Sequence, residues 1–179
     1  MKMNFIFILI FFAFSNCTGP QAESDGGSFL NECLESKDAR FISSIVTSFE
    51  KQLISKYGAK SYKKFLSEMR SMAIPPDFFV KSDLTSFLIA NKKSSSFRKI
   101  WIKQGGFFKT KPNSKYLLCL KEKSDSKTLR EVLETIEKVP NINPGLTAGA
   151  LESGLTDDEY NSEAIKIYLA VNIYDRFNK

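Results

Sequence analysis

Apolar residues recur three and four positions apart between Asp38 and Tyr57, at Phe41, Ile42, Ile45, Val46, Phe49, Leu53 and Ile54. That spacing predicts one face of an amphipathic helix, and Gly58 supplies its left-handed stop. A second helix is expected over Ser61 to Met72, with Tyr62, Phe65, Leu66, Met69 and Met72 turned inward and Pro75-Pro76 as the break. Ser82-Asp83 caps a third, short helix carrying Leu84, Phe87 and Leu88.

From Asn91 to Asn113 the helical period fades. Ser94-Ser95-Ser96 reads as loop, and Lys99 to Lys103 holds β-branched and aromatic residues. Gly105-Gly106 can turn a short hairpin into Phe107-Phe108. The period then returns. Ser114 caps a helix through Tyr116, Leu117, Cys119 and Leu120. Asp125 or Ser126 starts another, with Leu129, Val132, Leu133 and Ile136 inward and Pro140 as its stop. Asn143-Pro144 opens a small, tightly packing helix from Gly145 to Leu151, ended by Gly154. Thr156-Asp157-Asp158-Glu159 matches a capping box, and Ser162 to Phe177 is apolar around enough of its circumference to be the core helix. The expected fold is therefore mainly α: one helical-bundle-like domain of about seven or eight helices with a small β-hairpin in the middle.

Ahead of this domain the pattern is different. Lys2 is followed by an unbroken apolar run from Phe5 to Phe14 and then by Ser15-Asn16-Cys17. The run is too short to span a bilayer, which needs roughly 20 apolar residues, and it has the form of a cleaved export signal. With the cysteine at its end, this segment resembles the export signals of bacterial lipoproteins processed by signal peptidase II, although Phe14 and Asn16 stand where the usual lipobox has Leu and a Gly or Ala. The resemblance covers the export segment alone. It implies a cleaved signal at 1–16, lipid on Cys17, a flexible tether over 17–28 (TGPQAESDGGS follows the cysteine) and a globular domain over 29–179. The implied location is a bacterial membrane, the outer one ahead of the inner, facing the periplasm or the cell surface. The competing readings are an ordinary secreted protein and an uncleaved anchor.

Cysteine count sharpens this picture. An exported protein with three Cys needs an account of the odd one. Lipid on Cys17 leaves Cys33 and Cys119 as a candidate disulfide in an oxidising compartment, against two buried free thiols.

The net charge of +6 is unevenly spread. Basic residues between Lys51 and Arg130 far outnumber Glu68, Asp77, Asp83, Glu122 and Asp125, while both ends of the mature chain lean acidic. Lysines and aromatics interleave most densely in the hairpin region. A functional reading places Trp101, Phe107 and Phe108 on a surface that stacks on a sugar or base, with Arg98, Lys99, Lys103 and Lys109 meeting phosphates or carboxylates. The structural reading buries Trp101 and its neighbours in the core.

The chain contains no His, which removes the usual neutral-pH general base and every imidazole-dependent triad. Neither a P-loop nor a dinucleotide fingerprint is present, and no metal or cofactor is called for. Carboxylate chemistry or a Ser-Lys pair stays open, so a His-free hydrolase is one alternative. The leading expectation is a non-enzymatic binding or assembly module with a protein partner in the envelope and no specific nucleic-acid recognition. A second alternative is an anion-binding lipoprotein that uses the basic middle for lipopolysaccharide, anionic lipid or nucleic acid.

Overall fold

The computed structural model describes residues 28–58, 61–75, 78, 82–139 and 142–172. The signal at 1–16, the tether as far as residue 27, the end of the expected core helix at 173–177 and the two residues after it lie outside the described residues, as do Pro76 and Pro140. Among the described residues are nine α-helices, a 3-10 turn and one two-stranded antiparallel sheet. The mainly helical fold with a small hairpin is as the hydrophobic pattern predicts.

In order, the helices are α1 (Ser28–Asn31), α2 (Ser36–Tyr57), α3 (Ser61–Arg70), α4 (Asp83–Asn91), α5 (Ser95–Ile100), α6 (Lys115–Lys123), α7 (Lys127–Lys138), α8 (Pro144–Gly154) and α9 (Glu163–Asn172). The strands β1 (Trp101–Gln104) and β2 (Phe107–Thr110) fall between α5 and α6. The starts of α4, α6, α7 and α8 follow from side-chain oxygens that accept otherwise unpaired amides. Ser82 Oγ accepts from Thr85 N–H at 3.1 Å, Ser114 Oγ from Leu117 N–H at 3.3 Å, Ser126 Oγ from Leu129 N–H at 3.3 Å and Asn143 Oδ1 from Gly145 N–H at 2.8 Å. Each such cap contributes about 1 kcal/mol. Thr156 and Glu159 form the reciprocal capping box, with Thr156 N–H on Glu159 Oε2 at 2.9 Å. It opens only the 3-10 turn Glu159–Asn161, and α9 starts afresh behind Ser162.

Helix α9 lies centrally, with Ala164, Ile165, Ile167, Tyr168, Leu169, Ala170 and Val171 all buried. It packs along α2, whose Phe41, Ile42, Ile45, Phe49 and Leu53 complete the core from the other side. Asn172 ties neighbouring elements to the end of α9: its amide donates to the Tyr116 hydroxyl at 3.3 Å and its carbonyl accepts from Thr110 Oγ1 at 3.0 Å. Cys33 and Cys119 form a disulfide with Cα atoms 5.9 Å apart, inside the range such a bond requires. It fastens the segment after α1 to α6.

Three local expectations are corrected. Ser94-Ser95-Ser96 is not loop: Ser94 caps α5, a one-and-a-half-turn helix too short to show a period, and Lys99 belongs to it rather than to a strand. Helix α3 ends at Arg70, before the prolines, because Met72 takes a left-handed φ of 56° and Ala73 N–H reaches back to Glu68 O at 2.8 Å. Met72 consequently leaves the inner face and is 68% exposed. Ile54 also faces solvent, at the edge of the α2 stripe.

Candidate functional site

The basic and aromatic residues singled out in the middle of the chain are brought close together but divided between two sides. Gly105 and Gly106, with φ of 59° and 87°, give the hairpin its two-residue turn, and the register sets Trp101 opposite Thr110 and Lys103 opposite Phe108. Trp101 is 2% exposed, wedged against Phe97 at 4.6 Å and Phe41 at 6.2 Å. Phe108 is half-buried edge-on to Phe97 at 5.1 Å, and the Lys92 ammonium sits 4.6 Å above its ring. These aromatics therefore serve the core and do not form an open stacking platform. Phe107 occupies β2 opposite Gln104, and its side chain is outside the described set. Arg98 and Lys103 point to solvent, while Lys109 is half-buried opposite Ile102.

Lys99 has a different role. Its ammonium bridges Asp38 Oδ2 at 2.6 Å and Glu35 Oε2 at 3.0 Å, and the Ser96 hydroxyl donates to the other Asp38 oxygen. Burial alone would raise the Asp38 carboxyl, but hydrogen bonds from Lys99 and Ser96 outweigh it and hold the group below the usual range. Hydrogen bonds to Asp38 and Glu35 push Lys99 upward. Ser96 and Lys99 have the spacing of a Ser-Lys pair, yet a lysine acting as base must be neutral. This one is held charged, and the serine hydroxyl is already given to a carboxylate.

Asp38 and Lys99 also line a cavity of about 320 Å³ together with Glu35, Lys111, Ser114 and Lys115. It lies at the start of α6, beside the disulfide-linked segment.

A second site was not among the sequence candidates. The small residues of α8 allow close approach to α3: a Cβ on Gly145 would come within 3.3 Å of the Arg70 carbonyl, and Gly149 lies on the Arg70 side chain. Arg70 then bridges to Glu152 at 3.2 Å. Thr128 closes the other flank by donating its hydroxyl to Gly154 O at 2.9 Å. What remains outward on α8 is Leu146, Ala150 and Ser153, a ridge at positions i, i+4 and i+7. On one side of this ridge runs an open cleft of about 550 Å³ walled by Arg70, Met72 and Asn143. On the other, a cleft of about 360 Å³ is walled by Thr128, Val132, Thr135 and Ile142 of α7 and the segment after it. Leu146 stands 66% exposed between them, with Met72 across the first cleft.

Charge near this ridge is unevenly placed: α7 carries three acidic and three basic residues, α8 carries Glu152 alone, and the excess lies behind α8 at Asp157, Asp158, Glu159 and Glu163. From Lys127 to Glu163 the chain carries eight carboxylates against Lys127, Arg130 and Lys138. No cluster of three or more metal-ligating side chains occurs among the described residues, and no helix among them is long and apolar enough to cross a membrane. No family model, curated protein or solved structure matches this chain.

Proposed function

We propose that the chain is a lipid-anchored module of a bacterial envelope, at the outer membrane ahead of the inner, that works by binding a protein partner and not by catalysis. The anchor rests on the apolar run ending at Cys17 and on cysteine arithmetic. With Cys33 and Cys119 joined to each other, Cys17 is the one cysteine left for a lipid. Two or more acyl chains on it would hold the domain stably at the bilayer.

The binding role rests on one observation: Leu146, two-thirds exposed, stands on a ridge of small residues with a cleft on each side. Ridges of this spacing interdigitate with helices, and the small neighbours admit a partner backbone closely. The carboxylate excess that follows α8, at Asp157, Asp158, Glu159 and Glu163, favours basic flanks on that partner. The occupant is an amphipathic helix with an apolar stripe bordered by Lys or Arg.

A photoreactive residue in place of Leu146, in cells, is expected to cross-link to such a segment, identified by sequencing the linked peptide. The same residue at Ile89, an equally exposed apolar position on α4, is the control. Equal yields from both positions, or a linked peptide lacking the basic-flanked apolar stripe, would contradict the assignment.

A further inference from the structure

Between Asp83 and Glu122 the chain has no acidic residue at all, and it carries nine lysines and arginines over that stretch. The fold gathers this segment into one continuous region: the end of α4, α5, the hairpin and the start of α6. Lys92 lies over Phe108, Lys103 is opposite Phe108 in the hairpin register, and Lys111 N–H bonds Ile100 O at 2.8 Å. Lys99 and Lys121 are spent on ion pairs with Asp38 and Glu35, and with Glu137 and Glu134. Lys92, Lys93, Arg98, Lys103 and Lys115 are exposed.

The described chain enters the fold beside this region. Leu34 and Glu35, a few residues after Ser28, wall the same cavity as Lys99, Lys111 and Lys115. The two carboxylates of Glu35 and Asp38 in that wall are matched by two ammonium groups, Lys99 on both and Lys37 on Glu35 at 3.3 Å. Residues 18–27 reach at most about 35 Å from Cys17, and a diffuse cationic surface acts over about 10 Å at ordinary salt.

We infer that this basic region is a membrane-docking face: the domain lies down on the bilayer that holds its anchor, with the lysines just after α4, in the hairpin and at the start of α6 against anionic lipid headgroups. The inference rests on the anchored reading above. Each basic residue near an anionic surface gains about fivefold in partition, so a few together decide orientation once the tether has confined the domain. The α8 ridge is left to a protein partner.

The test uses the processed protein purified from membranes and reconstituted into vesicles of phosphatidylcholine, with or without phosphatidylglycerol. The readouts are flotation and site-resolved amine labelling. On phosphatidylglycerol at about 0.1 M salt, labelling of Lys103 and Lys115 is expected to fall about fivefold relative to phosphatidylcholine, with Lys138 unchanged, and to recover at about 0.5 M salt. Joint Lys93→Gln and Arg98→Gln changes, both at exposed positions, keep the two labelled amines and are expected to shrink the difference at Lys103 and Lys115 while leaving the circular dichroism spectrum and melting point as they were.

Protein that floats with phosphatidylcholine at high salt but labels identically on both lipids overturns the docking face while the anchor stands. Protein that fails to float with phosphatidylcholine overturns the anchor; salt-sensitive flotation on phosphatidylglycerol then still supports the face, and its absence overturns it. Protection by a single-stranded nucleic acid but not by phosphatidylglycerol overturns it in favour of a polyanion.

Discussion

Asp38 shows how one residue can serve both fold and electrostatics. It is buried in the first turn of α2, where a carboxylate also meets the positive end of the helix. Lys99 and Ser96 of α5 reach it from across the sequence. Replacing Asp38 with Ala leaves Ser96 buried without its acceptor, and the expected loss is about 1–3 kcal/mol in urea unfolding at neutral pH. The pH dependence has a definite sign. The folded carboxyl lies below its unfolded value of about 3.9. Its stabilisation is therefore complete above that pH and is lost as pH falls through the lower, folded value. The acid-induced drop in stability is expected to be smaller in Asp38→Ala than in the parent protein, and an equal drop would show that Asp38 carries none of it.

At the scale of elements, Met72 is the informative position. Its left-handed φ closes α3, a place where glycine is at home and a long side chain costs about 1–2 kcal/mol. Met72→Gly is expected to raise the melting temperature while lowering cross-linking from Leu146, because it relieves the backbone and removes one wall of the cleft. A structural role alone would not move those two readouts in opposite directions. Loss of both stability and cross-linking would contradict this account of the turn.

The same residue explains why the site was hard to read in the sequence. Three-and-four spacing assigns Met72 to the inner face only if α3 continues, and nothing in a Met at a helix end announces a reversed φ. The caps at Ser82, Ser114, Ser126 and Asn143 were legible because they are local chemistry. Helix α5 was not, since six residues show no period and three serines look like loop. On α8 the Gly and Ala content foretold close packing, but not that α3 and α7 would take two flanks and leave Leu146 outward.

Across the whole molecule, the sequence between Lys92 and Lys121 is basic, α7 is balanced, and the stretch from Glu152 of α8 to Glu163 at the start of α9 is acidic. In the proposed arrangement the basic stretch meets lipid and the α8 ridge a partner. The disulfide fits that arrangement mechanically. It joins the entry segment to α6 across a separation of 86 residues, and loop closure on that scale is worth on the order of 4 kcal/mol in the chain-entropy picture. Pull on the tether would then be borne by the core and not by the four residues of α1.

The central claim is that this domain is held at a membrane by Cys17. The most direct measurement is the intact mass of the processed protein extracted from membranes, before and after reduction, beside a Cys17→Ala variant. The account predicts a mass above that of residues 17–179 by the acyl chains, a gain of about 2 Da on reduction as Cys33 and Cys119 take up hydrogen, and no acylated product from the variant. An unacylated protein recovered in the soluble fraction would contradict it.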